Sequence, residues 1–191
     1  MLSFAHNREI YGAGEATNVF FKVKSGVVRT CIFLEGGRRQ IGAFHVAGDV
    51  FGFEIDASHR FSAEAACDCT VIRCRRSCID LLGADKDGSA RQLLFYTMQS
   101  LARAEKHAIL LGRYSALEKV ATFLADWAAH WPGDELITLA MTRLDIADYL
   151  CLTVETVSRT FSKLERDGLI ERPNARQIRL RNPAGLNALS A

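Results

Sequence analysis

Apolar residues along this 191-residue chain keep three different spacings, and each spacing predicts a different kind of element. From Ile10 to about Leu82, short β-branched and aromatic runs alternate with Gly12, Gly14, Gly26, Gly36-Gly37, Gly42, Gly48 and Gly52. This is the pattern of short strands joined by glycine turns, and it predicts an antiparallel β-roll or sandwich of jelly-roll type. Val19 to Val23 and Val27 to Phe33 are two of its strands, Glu35-Gly36-Gly37-Arg38 is a hairpin turn leading into Gln40 to Phe44, and Ala63 to Arg73 is a further strand. The chain enters the pattern almost at once, so an N-terminal piece of the roll is expected to be missing or unusually short.

After Gly83 the spacing turns helical, with no proline and one glycine, Gly112, between Ser89 and Trp131. Ala90, Leu94, Thr97, Leu101, Ala104, Ala108 and Leu111 alternate four and three residues apart, which predicts a long dimerisation helix with Leu94, Leu101, Ala104, Ala108 and Leu111 in its interface. An intramolecular helix lying on the roll would produce the same stripe. Gly112 is expected to break this helix and Ser115 to Ala129 to form the next, with Val120, Phe123, Leu124 and Trp127 on its core face. Pro132-Gly133 ends it, and Glu135 to Leu139 reads as a short strand.

The third spacing lies between Thr142 and Leu164. Thr142 and Asp145 form a capping box, followed by a helix with Ile146, Ala147 and Leu150 on its apolar side. A turn at Cys151-Leu152 leads to Thr153, which caps a second helix buried through Val157, Phe161 and Leu164. Glu155, Ser158 and Arg159 share the opposite face at i, i+3 and i+4. This is a helix-turn-helix whose second helix can present side chains to a major groove. Gly168 closes it, and Leu169 to Arg172, a turn at Pro173-Asn174 and Arg176 to Arg181 make a hairpin. The result is an α+β chain: a β-roll (1–85), a dimerisation helix (86–112) and a winged helix-turn-helix (113–191).

Composition changes this picture little, but the distribution of charge does. An apolar fraction of 49% is enough for a core, and the net charge is only +2. Between Arg159 and Arg181, however, cations outnumber anions seven to three, so the basic surface is local to the second helix and the wing. An arginine fork can donate twice to guanine and a carboxylate can accept from cytosine, both only in the major groove. Arg159 and Glu155 could therefore address neighbouring base pairs, with Ser158 between them. The bland alternative is a helix-terminal acid with an i, i+4 partner. Thr142, Arg143, Thr153, Thr156 and Arg179 are the expected contacts to the DNA backbone. No apolar run approaches the ~18 residues of a membrane span, so a cytoplasmic protein with reduced thiols is expected. The absence of a phosphate-binding glycine loop, H-E-x-x-H or Gly-x-Ser-x-Gly argues against an enzyme.

The segment Tyr149 to Arg159, with its Glu-x-x-Ser-Arg pattern, resembles the recognition segment of Crp/Fnr-type transcription regulators, in particular the FixK branch. Gly26-Val27-Val28-Arg29, Gly37 to Phe44 and Gly48-Asp49-Val50-Phe51-Gly52 resemble the FixK β-roll, and Leu111-Gly112-Arg113 with Val120 to Leu124 resembles the helix junction. The likeness implies a homodimeric activator that binds a TTGAT-type inverted repeat through Glu155, Ser158 and Arg159 and touches RNA polymerase.

Three departures bear on regulation. The glutamate and Arg-Ser pair by which some relatives hold a cyclic nucleotide correspond to Phe53 and Phe61-Ser62, and without a cation at Phe61 a buried phosphate would be unpaired. Met1 to Thr30 holds no cysteine for an N-terminal iron–sulfur site, and Cys67, Cys69, Cys74 and Cys78 lack paired C-x2-C spacing. No metal or cofactor is expected, the cysteines reading as small buried residues and the five scattered histidines as ordinary ones. Cys151 stands where the family pattern usually has glycine. Its oxidation to a sulfenic or sulfinic acid would set bulk and negative charge against the phosphates and switch binding off; a tolerated small turn residue is the alternative. The rival function is an effector-gated regulator or repressor holding haem or another small molecule in the roll, against Phe51, Phe53 and Phe61.

Overall fold

Alternation of apolar and polar side chains sends every second residue of a strand inward, and the first half of the chain uses this to close two sheets on one core. The computed structural model describes residues 1–75, 89–131 and 136–189. Strands β1 (Leu2–Phe4), β2 (Glu9–Tyr11), β3 (Val19–Ser25), β4 (Val28–Phe33), β5 (Arg39–His45), β6 (Val50–Phe51), β7 (Ser62–Ala65) and β8 (Cys69–Arg75) form two antiparallel four-stranded sheets, in the orders β1-β8-β3-β6 and β2-β7-β4-β5. Tyr11, Phe21, Val23, Val28, Phe51, Ala63, Ala65, Cys69 and Val71 fill the space between them.

The expected strand from Ala63 to Arg73 is two strands, because the chain changes sheets at Ala66 to Asp68: β7 pairs with β4 and β8 with β3. Ala66 N–H donates to Val27 O across this corner. Asp68 O and Cys69 crowd Gly26, whose φ of +78° and lack of a Cβ allow the approach. Neither β1 nor β2 was legible as a strand, since each has three residues and little apolar alternation.

Helix α1 (Ser89–Arg113) ends one residue after Gly112, beside the expected break. The stop comes at Ser115, whose hydroxyl accepts from Glu118 N while Glu118 returns to Ser115 N, opening α2 (Ala116–Ala128). Pro132-Gly133 and Glu135 lie outside the described residues.

The chain divides into two compact units, Met1–Glu105 and Lys106–Ala191. In the first, Arg103 of α1 makes a two-pronged bond to Asp49 at 3.0 and 2.9 Å, and Asp49 also accepts from Val46 N at 3.0 Å. Beside them His45 stacks on Phe51, and its burial pushes its pKa down to about 4 against the pull of Asp49. In the second, β9 (Leu136–Thr138), α3 (Arg143–Leu150), α4 (Val154–Arg166), β10 (Ile170–Asn174), β11 (Gln177–Leu180) and α5 (Pro183–Ala188) surround fully buried Ile146, Leu150, Phe161, Leu164, Ile178 and Leu186. Helix α5 escaped the sequence reading, although Asn182 before Pro183 is a helix-start signal: Asn182 accepts from Gly185 N and Pro183 occupies the first turn.

Candidate nucleic-acid interface

The helix-turn-helix is built from caps. Thr142 and Asp145 satisfy one another's backbone N–H at the start of α3, with distances of 3.1 and 2.9 Å. Helix α3 ends at Cys151, which is left-handed at φ 53° and ψ 47°, and Cys151 N–H and Leu152 N–H both return to Ala147 O. Two residues later Thr153 accepts from Thr156 N at 3.1 Å and opens α4. Both helices are thus specified locally.

Helix α4 has two faces. Val157, Thr160, Phe161 and Leu164 are buried, whereas Glu155, Ser158, Arg159, Ser162, Lys163 and Arg166 are exposed. The Glu155 carboxyl is held below the usual range by its own backbone N–H and the Thr153 hydroxyl, with Arg159 adding to the effect. Among the described residues Arg159, Lys163 and Arg166 enter no ion pair. The predicted triplet of Glu155, Ser158 and Arg159 stands together in solvent.

The wing departs from expectation. Its strands run on through Pro173 to Asn174, and the turn lies at Ala175-Arg176, where Asn174 Oδ1 accepts from Arg176 N at 2.9 Å. Pro173 is tolerated because β10 is an edge of the sheet β10-β11-β9. Arg179 and Arg181 of the wing both pair with Glu171, the former at 3.2 Å, and Arg172 is clasped by Glu165 through its backbone and its fork at 3.0 Å. Arg176 is exposed and enters no ion pair among the described residues. Thr142 and Thr156 are half-buried, Thr153 exposed, and Arg179 half-buried with Nε unpartnered. Arg143 is turned inward over Phe161, where burial first and Arg172 second push its pKa down to about 10. Sequence reasoning had no signal for the Arg172–Glu165 clasp, which joins residues seven apart across the end of α4.

Elsewhere, Leu94 and Leu101 of the expected dimer seam are 59% and 58% exposed, and so are their neighbours Phe95, Met98 and Ile109 at 61%, 62% and 58%; Ala104 and Ala108 are exposed and Leu111 half-buried. The side chain of Ala90 lies outside the described residues. In the roll, Phe51, Phe53 and Phe61 each pack against different neighbours. Phe51 belongs to the core, Phe53 meets Phe20 edge-on, and Phe61 lies against Gly42. The Ser62 hydroxyl already accepts from Ala13 N at 2.9 Å. Cys67 precedes β8 and Cys69 opens it, Cys78 is outside the described residues, and no group of three metal-ligating side chains occurs among those described. Of the cluster read as small buried residues, Cys69 is buried and Cys67 and Cys74 only partly so; Cys31 is also buried. No described helix is long and apolar enough to cross a membrane.

A closed β-roll followed by a long helix and a winged helix-turn-helix defines a class of DNA-binding transcription regulators. Residues 1–83 match the cyclic nucleotide-binding domain and residues 118–189 the Crp-like helix-turn-helix domain. The nitrogen fixation regulation protein FixK of Azorhizobium caulinodans is 42% identical, over 98% of this chain and 78% of the relative, and that of Rhizobium meliloti is 38% identical over 98% and 85%. The structure of FixK2 from Bradyrhizobium japonicum superposes with a TM-score of 0.94 at 44% identity, covering 100% of this chain and 96% of that one. The chain belongs to the FixK-like branch of the Crp/Fnr family. It is a transcription regulator and not an enzyme.

Proposed function

We propose that this regulator acts in the cytoplasm as a homodimeric activator on a TTGAT-type inverted repeat, with α4 of each protomer in a major groove and a surface of the dimer touching RNA polymerase. Glu155, Ser158 and Arg159 read base edges. Thr142, Thr153, Thr156 and Arg179 contact the backbone. The observation that carries this reading is the exposed, cap-defined face of α4 with Arg159 outside any ion pair. Dimerisation is supported by the exposed apolar stripe of α1, since apolar side chains about 60% exposed at helical spacing favour burial against a second copy. The roll, the long helix and the winged helix are then the sensory, dimerisation and reading parts.

Regulation in this reading does not pass through a cyclic nucleotide. Phe61 stands in place of the phosphate-binding cation and Ser62 is already engaged by Ala13, so the residues present do not fit that ligand. Nor does regulation pass through an iron–sulfur cluster, since Met1 to Thr30 carries no cysteine to hold one. The control point is Cys151, exposed in the turn between the two helices, where an oxidised sulfur adds negative charge beside the phosphates.

The test is selection of duplex sites from a random pool by wild type and Arg159→Ala, with native mass measured in parallel. A paired half-site preference in wild type that Arg159→Ala loses is expected. Unselective wild-type binding, or an unchanged preference in the variant, would refute the readout. For Cys151, peroxide should weaken DNA binding by wild type and not by Cys151→Ser; equal losses would remove the thiol from regulation.

A further inference from the structure

Arg143 is the first residue of α3, directly after the Thr142 cap, a place from which a cation could reach a phosphate. Its guanidinium is engaged elsewhere. The guanidinium carbon lies 3.5 Å from the centroid of the Phe161 ring, Nη2 donates to Ala175 O at 3.3 Å, and Nη1 is buried without a hydrogen-bond partner. Phe161 is a fully buried residue of α4, and Ala175 sits in the turn at the tip of the wing. One planar group therefore touches the recognition helix with its face and the wing with its edge.

The tip has another tie to the domain, Leu139 N–H to Arg176 O at 2.7 Å. The bond from Asn174 Nδ2 to Gln177 Oε1, at 2.6 Å, stiffens the turn but anchors it to nothing outside the hairpin. Arginine suits this place for reasons that lysine does not share: its fork is flat, weakly hydrated and able to stack on a ring while donating in its own plane. A solvent-facing phosphate hook would keep its donors in water, whereas here one is sealed off and the neighbouring cation is Arg172. Leaving a buried donor unmade is costly, and it is tolerated where the group's other contacts fix its position.

We propose that Arg143 is a positioning residue for DNA recognition, a strut between Phe161 and Ala175 that sets the wing at a fixed distance from α4 in the free protein. The wing cations are then in place for the backbone when Arg159 enters the groove. The strut rests on reading α4 and the wing as the DNA-binding surface, but it can be tested without DNA. Amide hydrogen exchange of the free protein is compared for wild type, Arg143→Lys, Arg143→Met and Phe161→Leu. Arg143→Met keeps the apolar stem over the ring and so keeps the domain folded.

All three variants should speed exchange at the Leu139 amide about tenfold or more, because strut and tie hold the same turn; in the two Arg143 variants the Leu164 and Leu169 amides stay within about twofold of wild type, and in Phe161→Leu, which also loosens the core, Leu139 speeds up more than they do. On the selected duplex, Arg143→Lys should bind about as poorly as Arg143→Met, roughly tenfold below wild type, since lysine restores charge but not the stacked fork. A phosphate ligand behaves differently: Arg143→Lys would bind like wild type, Arg143→Met would lower the salt slope by about one per protomer, and wing exchange would not change. That pattern overturns the proposal, as does wild-type exchange at Leu139 in Phe161→Leu. If wild type selects no site at all, the DNA-binding reading has failed, and the exchange data alone decide whether the strut exists.

Discussion

The roll and the reading head treat charge in opposite ways. Inside the roll, Arg29 is 5% exposed and meets Glu64 at 2.7 Å and Asn7 Oδ1 at 3.0 Å, Glu54 holds buried His59 at 3.2 Å, and Asp49 is occupied by Arg103. On α4, Glu155, Ser158 and Arg159 stand exposed, and Arg159 enters no ion pair among the described residues. A buried charge needs its partner before folding is favourable, whereas an exposed one remains available to a ligand. These buried charges of the roll are matched from within the first unit, whereas the outward face of α4 leaves its polar side chains in solvent.

The sharpest break of that contrast is Glu64→Ala. Removing one partner of a buried pair costs about 3–5 kcal/mol, so the first unit should lose that much stability in denaturant unfolding while DNA affinity per folded molecule holds. A loss under ~1 kcal/mol would mean that water reaches Arg29 and that the pair behaves like an exposed one.

Arg159→Ala should do the reverse. Each bidentate base contact is worth about 1–3 kcal/mol of discrimination, so selectivity for the preferred base should fall by roughly tenfold or more, read by competition binding. Unfolding stability should move by less than ~0.5 kcal/mol, as for exposed side chains without fixed partners. Thr142→Ala lies between the two, since losing the cap should destabilise the second unit by about 1 kcal/mol in thermal melts and weaken all sequences alike.

Cys151 sharpens the comparison at smaller scale. A left-handed conformation costs an L residue about 1 kcal/mol, and the larger unfolded-state freedom of glycine offsets about half of that. Cys151→Gly should therefore stabilise the second unit by ~0.5 kcal/mol and remove any peroxide response, whereas Cys151→Val should destabilise it. The smallest effect is in acid. The Glu155 carboxyl is held below its ordinary value, so its ionised form favours the fold. That contribution is complete above the ordinary carboxylate pKa and fades as pH falls through the lowered one. Glu155→Gln should differ from wild type in stability at neutral pH and converge with it at low pH; a difference that persists there would assign the effect to something other than ionisation.

Much of the reading head was legible because its determinants are close in sequence. Thr142 with Asp145, Thr153 with Thr156, and the i, i+4 and i+7 positions Val157, Phe161 and Leu164 all meet within two turns, as their spacing requires. On α1 the exposed apolar surface is wider than the four-three stripe that the spacing picks out. Phe95, Met98 and Ile109 fall outside a four-three alternation, yet they are as exposed as Leu94 and Leu101. The roll was legible in class and not in detail, because a three-residue strand has no period to detect and the change of sheet at Ala66 to Asp68 is marked by neither glycine nor proline.

By itself, then, the sequence determined the two-faced recognition helix, its caps and the local surplus of cations, since backbone hydrogen bonding within a helix depends only on neighbours. Which cations remain outward was decided by the tertiary structure. Arg143 meets a carbonyl 32 residues away, Arg172 and Arg179 meet acids seven and eight residues off around a turn, and Ser62 meets a backbone amide 49 residues earlier. Contacts of that kind exist only after the chain has closed on itself, because the partner of a long polar side chain is set by which segments pack together and not by its place in the sequence.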